Sequence, residues 1–204
     1  MKYFPDLEQG SIQWLREHLG RATASGFSEI MTSDFEFRKG EMPKTYLAKK
    51  LAEKLTGKPL PGFHSRATDE GIAMEFEARK YFELEYDIST SYMGFVLADD
   101  GRTGCSPDAL IGEDSGLELK VPNSETHIKY LLNGALPIDY APQVHGSMWV
   151  TGRASWNFMS YNRDLPPFRI VVKRDEEIMK KISACLTRFY ADFDAAFERL
   201  KPKN

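Results

Sequence analysis

The sequence predicts a mixed α/β protein, with a central mixed β-sheet flanked by helices. Short runs rich in Val, Ile, Phe and Tyr lie at 94–98 (GFVLA), 108–112 (DALIG), 116–121 (GLELKV), 155–161 (SWNFMSY) and 168–173 (FRIVVK). Such runs suit a pleated, half-buried surface. Helical periods precede these strands, interrupt them and close the chain, an order that packs helices against a sheet.

The elements follow in order. A helix opens near Ser11 in SIQWLREHLGRATASGFSEIM, turns at Gly20 and yields to a second short helix opening near Ser25. In PKTYLAKKLAEKLTG, Pro43 suits a first helical turn, Leu47, Leu51 and Leu55 recur on one face, and Gly57 caps the end. Lys49, Lys50, Lys54 and Lys58 are expected on its remaining surface, as a solvated face or a phosphate-facing edge. KPLPGFH (58–64) reads as a loop. Thr68 is the expected cap of DEGIAMEFEARKYFELEY, where Asp69 and Glu70 suit the positive end. A helix near 141–151 (APQVHGSMWVT) separates the third strand from the fourth. Ile178, Ile182, Cys185, Phe189, Phe193 and Leu200 trace the apolar face of a closing helix over 175–200.

Composition narrows the function. The 204 residues, 42% hydrophobic and 28% charged, suffice for a large core. One domain over 1–204 is expected, its N-terminal helical part (about 1–65) joined to a core over about 66–204. No apolar run approaches a membrane span, and MKYFPDLEQG has no signal-peptide core, so no membrane contact and a cytoplasmic location are expected. Cys105 and Cys185 are too few for a four-thiolate zinc or iron–sulfur site, and read as small core residues. A net charge of −3 argues against coating duplex with a positive outer surface. Any DNA contact must be local, in a channel or a pocket.

The informative stretch is GCSPDALIGEDSGLELKVP (104–122). It sets Asp108, Glu118 and Lys120 on otherwise apolar strands, where a buried charge is costly unless paired or metal-bound. Glu118 and Lys120 leave one face of a strand, while Leu117, Leu119 and Val121 leave the other. IGEDSG is a turn-rich connector, so a hairpin can set Asp108 within a few ångströms of Glu118. Carboxylates that close repel unless one is protonated or a cation lies between them. Oxygen donors of this kind suit Mg²⁺ or Mn²⁺ rather than zinc. On 69–86, Glu75 shares a face with Ala78, Arg79 and Phe82. It is either a third carboxylate of the site or an ion-pair partner of Arg79. Carboxylates, a metal and a lysine are the parts that phosphodiester cleavage uses.

SPDALI and GLELKVP, with APQVHGSMWVTG downstream, resemble the lambda-type alkaline exonuclease (YqaJ-like viral recombinase) branch of the PD-(D/E)xK nucleases. WLREHLGRATAS (14–25), GIAMEFEARKYFE (71–83) and SMWVTGRASWNFMSYN resemble further elements of that family in the same order. The resemblance implies a restriction-endonuclease-like PD-(D/E)xK core. It implies a Mg²⁺-dependent exonuclease, with Mn²⁺ able to substitute, that degrades one strand of duplex DNA from its 5′ end. Such an enzyme releases mononucleotides and leaves a 3′ single-stranded tail for a single-strand annealing protein. By the same resemblance, Asp108, Glu118, the Leu119 carbonyl and Glu75 hold the metal, Lys120 positions the water, and Gln143 supports the lysine or the substrate. A ring-shaped homotrimer around DNA, a bacterial host cytoplasm and a phage or prophage origin are also implied. Without the resemblance, Gln143 reads as a helix-surface amide.

One position departs from the family, which carries an arginine in its 5′-phosphate pocket four residues after the tryptophan. Here that place holds His18, flanked by Arg16 and Arg21, while Ser25 matches the pocket serine. An unperturbed imidazole is mostly neutral at alkaline pH, whereas a guanidinium stays charged. Arg21 with Ser25, at a helix start, is therefore expected to supply the 5′-phosphate preference. His18 is expected to give packing or a weak hydrogen bond, and Arg16 to point outward. Ser106 is either a phosphate contact or a turn-capping hydroxyl. Two other functions stay open: a sequence- or structure-specific endonuclease on the same core, and a non-catalytic DNA-end-binding recombination scaffold.

Overall fold

In the computed structural model, which describes residues 1–60 and 69–202, the strands form two four-stranded mixed sheets with helices packed against them. The first sheet takes β1 (Lys2–Phe4), β2 (Ala22–Thr23), β3 (Phe95–Leu97) and β4 (Thr103–Cys105) in the order β1-β3-β4-β2. Of these only β3 was expected. The others span two or three residues, too short for alternation to show in sequence. The second sheet runs β5-β6-β7-β8, from Ala109–Ile111, Ser115–Lys120, Ser155–Ser160 and Phe168–Lys173. β6 and β7 are parallel, and the outer pairs are antiparallel.

The β6–β7 crossover carries two helices, as a parallel pair requires a long connection. One is α6 (Ala141–Thr151), where the sequence placed it. Before it lies α5 (Ser124–Asn133), which was not expected. Its ends follow ordinary chemistry: Asn123 accepts the Thr126 amide at 2.9 Å, and Gly134 closes the helix in the left-handed region at φ 64°. Around the first sheet lie α1 (Ile12–His18), then a 3₁₀ turn (Ala24–Gly26) leading into α2 (Phe27–Ile30), and α3 (Met42–Thr56). The helix expected to open near Ser25 is thus a 3₁₀ turn plus a single α turn.

In α3, Pro43 occupies the first turn, and Gly57 returns its amide to the Glu53 carbonyl at 3.0 Å. Lys50 corrects the expectation of a fully exposed lysine face. It is buried, at 2% exposure, and its ammonium meets the equally buried Glu53 at 3.0 Å. Glu53 also accepts the Gly20 amide at 3.2 Å, which ties the α1–β2 turn to α3. Gly20 has φ 67°, and a Cβ there would lie 2.8 Å from the Lys54 Cβ, so both conformation and space call for glycine. Lys49, Lys54 and Lys58 remain exposed.

α4 (Asp69–Tyr86) packs on one face of the second sheet, where Ala78 and Phe82 meet Ala109, Leu117, Leu119 and Met159. The loop expected through residue 64, the Thr68 cap and the side chains of Asp69 and Glu70 lie outside the described residues. α7 (Glu176–Leu200) is capped by Asp175, which accepts the Glu177 and Ile178 amides at 2.8 and 3.3 Å. It buries Ile182, Cys185, Phe189 and Phe193 as expected, while Leu200 is 52% exposed. Cys105 and Cys185 are free and buried, and burial pushes both thiols up. α6 sits deep among these elements. A Cβ on its Gly146 would fall 2.5 Å from the Phe27 ring, so the α2 segment lies directly against the helix that carries Gln143.

Candidate active site

The β5–β6 ladder sets the acidic pair. Its register, Ala109 opposite Leu117, Leu110 opposite Gly116 and Ile111 opposite Ser115, continues to place Asp108 opposite Glu118. The Leu110 backbone faces away, exchanging 2.8 Å hydrogen bonds with Ser91, so Ala109 and Ile111 are the residues that bond to β6. By the same alternation Pro107 stands where it should bond to Leu119. Proline has no N–H. The ladder therefore supplies no donor to the Leu119 carbonyl, while the Leu119 N–H is taken by the Asp108 carboxylate at 2.5 Å. The Pro-Asp step thus leaves one main-chain oxygen open beside two carboxylates.

Pleating then divides β6. Leu117 and Leu119 face α4 in the core, so Glu118 and Lys120 face the other side, toward α6. Gly116 shares that face, and a Cβ there would lie 2.4 Å from the Trp156 ring. The Glu118 side chain is 2% exposed, and its Oε1 receives two donors, Lys120 Nζ at 2.5 Å and Gln143 Nε2 at 2.6 Å. Gln143 is therefore more than a helix-surface amide: the first turn of α6 aims it at Glu118.

The electrostatics follow from crowding. Desolvation, then the charge of Glu118, raises the Asp108 carboxyl well above its ordinary range, against the pull of Lys120 and the Leu119 amide. Burial works against the Lys120 ammonium, but Glu118 and Asp108 outweigh it and hold its pKa above the usual lysine value. Glu75 is exposed along α4, yet enough protein surrounds its carboxyl for desolvation to raise its pKa, with Lys120 opposing and Glu118 adding. It makes no ion pair with Arg79, whose guanidinium lies 5.7 Å from the Phe76 ring centre. Among the described residues no three His, Cys, Asp or Glu side chains form a closed metal cage. The donor set is instead two close carboxylates and one open carbonyl, with Glu75 on the rim. These are hard oxygen ligands, two of them carboxylates whose mutual repulsion Lys120 offsets only in part, so the residues fit Mg²⁺ or Mn²⁺.

A second cluster adjoins the first. β2 and β4 are parallel, with Ala22 opposite Thr103 and Thr23 opposite Gly104, so Ser25 and Ser106 leave the same end of neighbouring strands. Trp14 Nε1 donates to Ser106 Oγ at 2.9 Å and to the Gly94 carbonyl at 3.1 Å. His18 Nδ1 lies 2.7 Å from the Trp14 carbonyl, which can only accept, so Nδ1 carries the hydrogen. Nε2 is then the acceptor, 3.4 Å from the Ser106 hydroxyl. The ring packs on Trp14 and Phe95, with centroids at 3.8 and 4.6 Å. Arg21 Nη1 donates to the Glu17 carbonyl at 2.5 Å and meets its carboxylate at 3.1 Å, while Arg16 is exposed. Ser25 is exposed, its Oγ 3.4 Å from that of Thr23. The structure thus joins His18 and Ser106, sets Ser25 beside them by register, and ties Arg21 to Glu17.

Burial lowers the His18 pKa from 6.5 to about 4, with Lys50 and Arg21 adding and the Trp14 carbonyl opposing. Between those values the unfolded chain binds a proton that the native ring refuses. Stability contributed by the neutral ring is present above pH 6.5 and is lost as pH falls toward 4, by about 3 kcal/mol in all. Urea unfolding between pH 7.5 and 4.5 should show that slope, and His18→Leu should flatten it. An unchanged slope in the variant would remove His18 as its source.

The profile of the YqaJ-like viral recombinase domain matches residues 13–154. No curated protein matches the chain. Among solved structures, an alkaline exonuclease (LHK-Exo) from Laribacter hongkongensis superposes with a TM-score of 0.84 at 28% identity, covering 93% of this chain and 96% of that one. The same exonuclease in complex with dAMP gives 0.83, again at 28% identity and the same coverage. A phage-related exonuclease from Haemophilus somnus 129PT, 14% identical, shares the fold with a TM-score of 0.69, over 89% of this chain and 96% of that one.

Proposed function

Because this chain belongs to the YqaJ-like viral recombinase domain family, we propose that it is a Mg²⁺-dependent DNA exonuclease that degrades one strand of a duplex from its 5′ end. Mn²⁺ can replace Mg²⁺, the products are mononucleotides, and a 3′ single-stranded tail is left for a single-strand annealing protein. The observation that carries the reading is the end of the β5–β6 hairpin, where Asp108 faces Glu118 and Glu118 binds both Lys120 and Gln143. The likeness to an alkaline exonuclease crystallised with a nucleoside monophosphate supports a mononucleotide product.

In this reading Asp108, Glu118, the Leu119 carbonyl and Glu75 hold the ion. Bound there, Mg²⁺ supplies Lewis acidity to the attacking water and to the scissile phosphate. The Lys120 ammonium, gripped by Glu118, acts as a donor that orients the water and offsets charge on the phosphate. Gln143 fixes the Glu118 oxygen that Lys120 also grips. Ser25 and Ser106 receive the terminal phosphate, with Arg21 and Arg16 as the cations at hand. His18 packs as a neutral ring in place of the family arginine. Ser25 lies on one 3₁₀ turn, so its contribution is donors rather than the field of a long helix. A homotrimeric ring with DNA through its centre reconciles DNA binding with a net charge of −3. No helix among the described residues is long and apolar enough to cross a membrane. On this reading the enzyme acts in a bacterial host cytoplasm and has a phage or prophage origin.

The test uses linear duplex labelled at either end, with 5′-phosphate or 5′-hydroxyl termini, and closed circular duplex as control. Mg²⁺ and Mn²⁺ should support loss of the 5′ label as mononucleotide. Ca²⁺, larger and looser in coordination, should support binding without turnover. Cleavage of the circle, or release from the 3′ end first, would contradict the proposal, as would robust hydrolysis with Ca²⁺.

A further inference from the structure

Tyr140 ends the 3₁₀ turn Ile138–Tyr140, directly ahead of the α6 turn that presents Gln143. Its ring is half-buried and wedged against Phe158, with centroids 5.3 Å apart, and edge-on to Tyr130 at 6.4 Å. Phe158 is in turn the β7 residue paired with Glu118. The ring therefore holds a fixed place relative to the strand that carries the lysine. Lys120 Nζ lies 5.1 Å from its centroid, and its ion pair is with the Glu118 carboxylate.

A lysine side chain has four rotatable bonds and an ammonium with no preferred direction, so one ion pair leaves it free to pivot about the carboxylate. A ring face on a second side removes that freedom, because its quadrupole attracts the cation and its bulk closes the space. We propose that Tyr140 is a positioning residue, its ring holding the Lys120 ammonium beside the Asp108–Glu118 pair. The ring face carries this role, and the Tyr140→Phe variant separates it from the phenol oxygen, which also interacts with Tyr130. The inference rests on the nuclease reading for its consequence in rate, but the contact itself does not.

Two readouts separate these. In metal-free protein with ¹³C-labelled lysine, the Lys120 ε-methylene should show an upfield ring-current shift, retained in Tyr140→Phe and lost in Tyr140→Leu. In Mg²⁺ with end-labelled duplex, Tyr140→Leu should lower kcat about tenfold with little change in KM, while Tyr140→Phe stays within about threefold of wild type. Thermal unfolding of both variants checks that the Leu protein is folded, and Tyr140→Met provides a second replacement without a ring if it is not. Absence of the ring-current shift in the wild type, or equal losses in the Phe and Leu proteins, would overturn the assignment. Should wild-type protein degrade no DNA, the nuclease reading fails and the lysine spectrum still judges the contact.

Discussion

Asp108→Asn is expected to cut degradation of duplex ends by about a hundredfold or more while making the metal-free protein more stable. The two effects share one cause. Asp108 faces Glu118 across the hairpin end, and desolvation together with that charge pushes its carboxyl well above the ordinary range. A carboxyl raised on folding contributes stability below its unfolded pKa and loses it as pH rises through the folded value. Above the unfolded value, the cost of ionising the buried group thus works against the metal-free fold. Asparagine keeps an oxygen for the Leu119 amide and drops the charge. Denaturation in chelator at pH 5 and pH 8 should show the variant ahead, with the larger lead at pH 8. Retention of more than about a tenth of the wild-type rate, or a less stable variant, would defeat this account of the site. Lys120→Met should match the loss of rate without the gain in stability, because it leaves Glu118 buried without its cation.

Glu53→Ala should destabilise the protein by about 3–5 kcal/mol, the largest effect expected away from the catalytic centre. Lys50 and Glu53 are each 2% exposed, so removing the carboxylate takes its counter-charge from a buried ammonium whose pKa burial already lowers. It also removes the acceptor of the Gly20 amide. Replacing the pair together, by Lys50→Met with Glu53→Leu, should recover most of the loss, since apolar side chains of similar volume need no compensation there. Urea unfolding of the single and double variants decides the matter. A loss under about 1 kcal/mol for Glu53→Ala would mean that water reaches the pair in solution.

How much of this was legible in the sequence varies with the physics of each part. The strands of the second sheet and the faces of α3 and α7 were readable because burial imposes a period on residues that pack over several turns or pleats. The antiparallel return between Asp108 and Glu118 was readable from the turn-rich connector, although only the structure shows that their pairing is in register. β1, β2 and β4 were hidden by their length, and the partners of β1 and β2 lie far along the chain. α5 could have been found from Asn123 and Gly134 at its ends, had caps been weighed without a strong apolar stripe. Lys50 misled because a lysine among lysines reads as surface, and only a partner three residues on, in a packed turn, makes it tolerable inside. Tyr140 carries no motif that composition could expose. Its place depends on Phe158 and Tyr130, which come from a strand and a helix on either side of it. For His18 the neutral state was readable in outline, but its tautomer follows from the Trp14 carbonyl alone.

The first sheet also bears on how the chain assembles during synthesis. β1 and β2 emerge early but find their partners only in β3 and β4, after α3 and α4 have been made. Helical segments can form locally as they appear, whereas this sheet must wait for the intervening chain to close a long loop. Trp14, His18 and Ser25 come from the early side of that closure, and Ser106 and Asp108 from the late side. A nascent chain therefore holds Trp14, His18 and Ser25 of the second cluster, and only Glu75 of the acidic one, until residues beyond the first hundred arrive to complete both.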